Sequence, residues 1–405
     1  MNWSKQYPAT DNICCPAYPS LDLKIESSST AVGKSVSNLV LLILSRSFVI
    51  LLSSAFSLLL LEGVLRMVVP PLPVTNTPAE VLDPHKLGFK PYAAWRVKEP
   101  EFDQFVSING VGYRDNEIDP KKPTIVFLGD SQTFGTGVNA DERASDHIRR
   151  ALEEQCPEVA KDLNVLNVAM PGASSVHEEA LLSDLLSKGL SVKHVFVMVS
   201  SNDHFANLID EKNGYLDTAQ RRTTGIVRWM KENRYRSRLV QFLLPRLAQA
   251  QWFRSLYSGI KSDLGLGEFV AMRAMYVDNG VALQQVAATE RSLSRMKQLA
   301  PLSVALIPDR YRFDAKLEST ARKGLSADIT STEAVIMERE SELMSAVSER
   351  LNIELIDPND TFRAEGAGEL LAYPINGHLT QRGQKLVAEV VLRRSAFLQN
   401  LCKAP

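Results

Sequence analysis

Apolar positions fall into two regimes along this chain. From Leu39 to Leu61 they run almost unbroken, LVLLILSRSFVILLSSAFSLLLL, with one charge at Arg46. Beyond Pro123 they come in short packets: Thr124–Leu128, Leu163–Val168, His194–Val199, Ser303–Ile307 and Ile353–Ile356. Between the packets, Asp146–Gln155, Val176–Leu186, Ala282–Leu299 and Thr332–Leu351 carry apolar residues at helical spacing. A short apolar packet is a buried strand, and an amphipathic stretch of ten or more residues is a helix. Their alternation predicts βαβ units and an α/β fold: a three-layer α/β/α domain over 123–400, with a mainly parallel sheet covered on both faces.

The long run has no polar face and is about the length that crosses a bilayer as a helix. Arg46 lies near one end, where its stem lets the charge reach the headgroups, so the effective core is Ser47 to Val69. Glu62 and Arg66 then meet the far interface, and Pro70-Pro71-Leu72-Pro73 ends the helix. A transmembrane anchor is expected over 38–69. Ser53-Ser54-Ala55 has the small residues of a cleavage site, but the apolar run continues past it, which favours an uncleaved anchor. Lys24 and Lys34 precede the segment and Arg66 alone follows closely. The positive-inside rule therefore puts the N-terminus in the cytoplasm and the bulk of the chain outside. Residues 1–37, rich in Ser, Thr and Pro without periodicity, read as a disordered tail. Residues 70–122 read as a linker and lead-in that packs on the sheet domain.

Residues 208–270 break the alternation and read as a helical insertion. Eleven basic side chains lie between Lys212 and Lys261, against Asp217 and Glu232, with Trp229, Tyr235, Trp252, Phe253 and Tyr257 among them. This segment is a lid, a basic face for anionic headgroups or an acidic polymer, or a solvated helical surface with buried aromatics. The whole chain of 405 residues has a formal net charge of -1, which argues against a nucleic-acid partner. Cys14, Cys15, Cys156 and Cys402 have no metal-ligand spacing, so neither metal nor cofactor is called for. A Cys156–Cys402 bridge and free thiols both remain open.

The first strand runs into Gly129-Asp130-Ser131-Gln132, a tight turn that exposes a hydroxyl. A serine needs a base within hydrogen-bond reach, and the base can come from far along the chain. His378 precedes the last helix, with Thr380 as its N-cap. After the second strand comes Leu166-Asn167-Val168-Ala169-Met170-Pro171-Gly172, whose glycine can offer an unobstructed N–H. After the third comes Ser200-Ser201-Asn202-Asp203, whose asparagine can donate to an oxyanion. In parallel sheets ligands bind at the carboxyl ends of strands, where all these loops lie.

Through Gly129-Asp130-Ser131, Gly172, Asn202 and His378, in that order, the chain resembles the SGNH (GDSL-type) hydrolase superfamily, with its flavodoxin-like fold. Three further segments look like bacterial membrane-anchored members: Asn109-Gly110-Val111-Gly112-Tyr113-Arg114, Gly135-Thr136-Gly137-Val138 and Leu61-Glu62-Gly63-Val64-Leu65-Arg66. The resemblance covers roughly 60–400 apart from the insertion. It implies that Ser131 is the nucleophile and His378 its general base. Ser131 N–H, Gly172 N–H and the Asn202 side chain then form the oxyanion hole. The implied substrate is an ester, with O-acetyl on a cell-surface glycan as the leading expectation. A membrane-tethered glycan-binding protein and a lipid-directed esterase are the alternatives.

The pattern departs at two places. An aspartate usually stands two or three residues before the histidine; here Asn376 and Ile375 do. Either Asp357 or Asp360 reaches the ring, or a backbone carbonyl serves a Ser–His dyad, or catalysis is lost. Ser200 also stands where a glycine is usual. Competing motifs are weaker. Gly135-Thr136-Gly137-Val138-Asn139-Ala140 lies too far past the strand for a dinucleotide loop, no lysine follows for a P-loop, and Thr133 breaks a GxSxG elbow. His204 is expected at the surface or in a supporting role, His177 at a helix start, and Asp130 in its turn through backbone hydrogen bonds.

Overall fold

In a computed structural model of the protein, the residues described are 29–68, 88–99, 101–213, 280–314, 338–366, 370–373 and 376–403, with isolated positions elsewhere. The chain divides into two compact units, Met1–Val64 and Leu65–Pro405.

A single helix, α1 (Ser29–Val68), carries the apolar run. Its segment Ser45–Val68, 24 residues, is long and apolar enough to cross a membrane. The helix starts at Ser29, inside the stretch read as a disordered tail. Once the apolar span has nucleated a helix, each added residue gains a hydrogen bond, so the helix propagates into neutral sequence. The described helix runs to Val68, and Val69 and Pro70 lie outside the described residues.

The second unit is built on five parallel strands: β3 (Thr124–Gly129), β4 (Asn164–Asn167), β5 (Val192–Val199), β6 (Leu302–Leu306) and β7 (Glu354–Ile356). They follow an antiparallel hairpin, β1 (Ala94–Lys98) and β2 (Asp103–Ser107). The sheet order is β4-β3-β5-β6-β7, which is the flavodoxin-like order. Each apolar packet became a strand with ends within two residues of the expected ones. Alternate residues of β3 serve opposite faces. Val126 and Leu128 join a core with Leu181, Leu182 and Leu185 of the helix Ser175–Ser187. The helices Gly280–Leu299 and Arg339–Leu351 pack into that same core. Ile125 and Phe127 join a second core with Ile148 and Leu152 of the helix Ala144–Gln155, and with Leu386 and Val390 of the helix Gln381–Arg394. Burial on both faces is why the strands read as continuous apolar packets.

Of the stretch 70–122, the described residues Phe89, Trp95, Val106, Ile108 and Tyr113 join the core of the sheet domain. Trp95 of β1 and Val106 of β2 are buried, with Phe89 bridging Trp95 and Phe134 at ring separations of 5.3 and 5.7 Å. The insertion begins inside the helix Ser201–Asn213. Most of 214–274, the tail 1–28 and residues 332–337 lie outside the described residues.

The open question about the cysteines resolves as a disulfide. Cys156, at the end of the helix Ala144–Gln155, bonds Cys402, just past the helix Ala396–Leu401, across 246 positions. A cross-link of such span restricts the unfolded chain strongly. Cys402→Ser, or reduction of the wild type, is expected to lower unfolding free energy by about 2–4 kcal/mol. Urea unfolding with and without a reductant measures this, and identical midpoints would show that no bridge forms.

Candidate active site

Four loops at the carboxyl edge of the sheet hold the polar residues. The first is the turn after β3. Asp130 caps the short helix α2 (Ser131–Phe134) by accepting from Gln132 N at 2.8 Å, so Ser131 is its first residue. A Cβ at Gly129 would lie 2.1 Å from Thr133 Oγ1, so glycine is required before this turn. Gly135 closes α2 in the left-handed region, φ 77°.

His378 arrives on the loop before the helix Gln381–Arg394, whose N-cap is Thr380 as expected. Its Nε2 lies 2.8 Å from Ser131 Oγ, across 247 positions of sequence. Its Nδ1 meets Asn376 Oδ1. A carbonyl oxygen there can only accept, which fixes the ring proton on Nδ1 and turns the Nε2 lone pair to the serine hydroxyl. Desolvation pulls the His378 pKa down to about 4, so the ring is neutral at neutral pH.

Asn376, the departure from the family pattern, is thus itself the group that faces the ring. Neither carboxylate named as a substitute does so. Asp357 accepts from Asn359 N and Nδ2 at 2.8 and 2.6 Å, and the exposed Asp360 lies 4.0 Å from Arg363. Asn376 is held in turn through its backbone N, which donates to Glu101 Oε2 at 2.7 Å.

Two carboxamides tie the serine turn to the histidine loop. Gln132 Oε1 accepts from Leu379 N at 3.0 Å, and Gln132 O accepts from Gln384 Nε2 at 2.7 Å. Gln384 Oε1 accepts from Ala144 N at 3.0 Å. On the other flank, buried Arg114 donates to Phe134 O, Gly135 O and Val138 O at 2.7–2.9 Å. Gln104 Nε2 reaches Gly135 O and Val138 O at 2.6 Å each. Sequence reading missed these four positioning residues. For Gln104, Arg114 and Gln384 the one local signal is polarity at a buried position, such as Gln384 on the inner face of an amphipathic helix; half-buried Gln132 has none.

Gly172 sits in the turn after β4 at φ 75°, a conformation suited to glycine. Asn202 lies in the first turn of the helix after β5, and its Nδ2 donates to Asp130 Oδ2 at 3.1 Å. Ser200 Oγ donates to Asp130 Oδ1 at 3.2 Å. Asp130 therefore does more than shape its own turn: it links the serine turn to the Asn202 loop. Burial raises the pKa of Asp130, Asp203 and Glu178 alike, and mutual repulsion adds to the last two. Glu178, pushed up to about 8, keeps its proton at neutral pH.

Of the two positions expected for His204, at the surface or in a supporting role, the structure excludes the surface. It is fully buried, with Nδ1 2.8 Å from Thr289 Oγ1 and Nε2 3.2 Å from Glu340 Oε1. Its helix is packed against neighbours on more than one side, so adjacent residues are both enclosed. His177 lies in the first turn of its helix, its N donating to Ser174 Oγ.

No protein-family model and no curated protein matches the chain. Solved structures do match. One is a member of the lipolytic protein G-D-S-L family from Veillonella parvula, at 14% identity and TM-score 0.35, covering 67% of this chain and 97% of that one. TesA matches at 13% and 0.36, covering 68% and 99%. A catalytic mutant of the acetylxylan esterase Axe2 from Geobacillus stearothermophilus matches at 12% and 0.36, covering 69% and 95%. Likenesses this distant say nothing about activity, so the functional reading rests on the site geometry.

The His378 ring offers a direct check. In the wild type its NMR titration should fall well below the ordinary imidazole value, near 4. The unfolded chain then takes up a proton that the folded chain refuses. This share of stability is complete above the ordinary value, near 6.5, and declines as pH falls toward 4. Asn376→Asp places a carboxylate on Nδ1 and should raise the pKa. An unmoved titration in that variant would mean the Nδ1 contact is absent in solution.

Proposed function

We propose that this chain is a serine ester hydrolase or O-acyltransferase of the SGNH type, acting through a Ser131–His378–Asn376 triad. The supporting observation is the 2.8 Å approach of His378 Nε2 to Ser131 Oγ, with a proton acceptor on the far side of the ring. Ser131 Oγ attacks the acyl carbon while His378 Nε2 takes its proton. The tetrahedral oxyanion accepts from Ser131 N–H, Gly172 N–H and the Asn202 amide. His378 returns the proton to the leaving oxygen. Water or a sugar hydroxyl then resolves the acyl-enzyme by the reverse sequence. The neutral low-pKa ring is ready as a base at neutral pH, whereas the neutral Asn376 stabilises the imidazolium less than a carboxylate would.

The substrate class we propose is an O-acyl group, O-acetyl foremost, on a cell-surface glycan. Two features support that setting. The helix over Ser45–Val68 suits a membrane anchor with the N-terminus in the cytoplasm, and the Cys156–Cys402 disulfide suits an oxidising compartment for the second unit.

Wild type should hydrolyse a chromogenic acetyl ester and react with a fluorophosphonate, and Ser131→Ala should do neither. Asn202→Ala should lower turnover by about 10²–10³. A wild type inert to both reagents would favour a binding protein on the same fold. A steep preference for long acyl chains would favour a lipid substrate.

A further inference from the structure

Asn376 is followed by Gly377. In such a pair the backbone nitrogen of the glycine can reach the asparagine Cγ, since no side chain crowds the approach. Gly377 lies at φ 86°, and the nearest atom to a Cβ built there is Arg310 Cδ at 3.9 Å, so the glycine Cα has open space beside it. Both residues are half-buried and within reach of water. The His378 Nδ1–H bond to Asn376 Oδ1 polarises the carbonyl and gives a donor to charge growing on that oxygen. One contact opposes closure: Gly377 N donates to Tyr373 O at 2.9 Å. That bond must open first, a local fluctuation that loops undergo without global unfolding.

We propose that Asn376 is a self-modification site, deamidating through a cyclic imide with Gly377 to yield the aspartate that the triad lacks. Gly377 N releases its proton to solvent hydroxide and attacks Asn376 Cγ. The new C–N bond forms, the Cγ–Nδ2 bond breaks, and Nδ2 takes a proton from water and leaves as ammonia, which regenerates the hydroxide. Water then opens the five-membered imide. Breaking the ring bond at Cγ restores the main chain and leaves Asp at 376. Breaking the bond at the main-chain carbonyl carbon leaves isoaspartate, with the chain running through the β-carbon. No electrons are exchanged and water is the only co-reactant.

The two products have opposite consequences. Asp keeps the backbone bond to Glu101 and sets a carboxylate against Nδ1. Isoaspartate inserts one atom into the main chain two residues before His378 and shifts the ring from Ser131. The site is thus a slow activation device with a built-in inactive branch. The activating half rests on the esterase reading; the deamidation does not.

The test uses the full chain in detergent, incubated at mildly alkaline pH in ¹⁸O-water and sampled over days. Peptide mapping by electron-transfer fragmentation separates Asn, Asp and isoaspartate at 376, and acetyl-ester turnover is read per fluorophosphonate-reactive molecule. Labelled Asp should accumulate at 376, and turnover should rise with its fraction. The gain should be about ten- to hundredfold, the margin of a hydrogen bond to a charged group over a neutral one. Asn376→Asp should show the gain from the start, and Asn376→Gln should remain unlabelled at that position. Residue 376 staying Asn in the folded protein, while a urea-denatured control converts, overturns the proposal. Conversion to Asp with unchanged turnover overturns the activating role. A chain that never reacts with fluorophosphonate fails as an esterase, yet its mapping at 376 still decides the deamidation.

Discussion

The hydrogen bond between His378 and Ser131 is the contact on which the proposed chemistry depends. A hydroxyl at the end of β3 and an imidazole on the last loop are held 2.8 Å apart, although 247 positions separate them. Neither loop could set that distance alone, because each is free at one edge of the sheet. The distance is set by side-chain amides that cross between loops. Gln132 and Gln384 join the serine turn to the histidine loop and to Ala144, while Arg114 and Gln104 grip the carbonyls of Phe134–Val138 from behind. Each such bond is modest in net energy, but leaving a buried carbonyl unpaired costs more than the bond gains. That asymmetry makes the arrangement specific.

Beneath the turn, electrostatics divides labour among acids. Asp130 caps α2 and at the same time accepts from Ser200 and Asn202, so one carboxylate aligns two neighbouring loops. Glu178 and Asp203 sit in the same dry region and are driven toward their protonated forms. Carboxyls crowded out of water cannot all ionise, so the charge concentrates where hydrogen-bond donors converge. On the opposite side of Ser131 the ring of His378 is also kept neutral, by burial and by a neutral partner. The ring beside the hydroxyl therefore carries no charge at rest.

Periodicity alone was enough for the five strands, their parallel arrangement and the apolar helix, because burial on both faces of a sheet and the absence of a polar face leave marks in consecutive residues. The loops that carry Ser131, Gly172 and Asn202 were also readable as turns after strands, and His378 as part of the loop before the last helix. Readings that depended on neighbours distant in sequence went differently. The sequence leaves His204 beside Asp203 between a surface and a supporting position, and its helix encloses it against Thr289 and Glu340. The basic, aromatic stretch at 208–270 lies mostly outside the described residues, and its role stays as the sequence left it.

Asn376 shows most plainly where local pattern stops. In the sequence it was a missing acid, with Asp357 and Asp360 as candidates to replace it. In the fold it faces the imidazole, while Asp357 is occupied by Asn359. The order of residues carries information about what lies next to what along the chain: strand lengths, caps, turns and a long apolar helix. Which groups touch across 30 to 250 positions depends on how parallel strands align their ends, and on buried donors and acceptors finding partners once water has gone. Folding alone supplies those conditions.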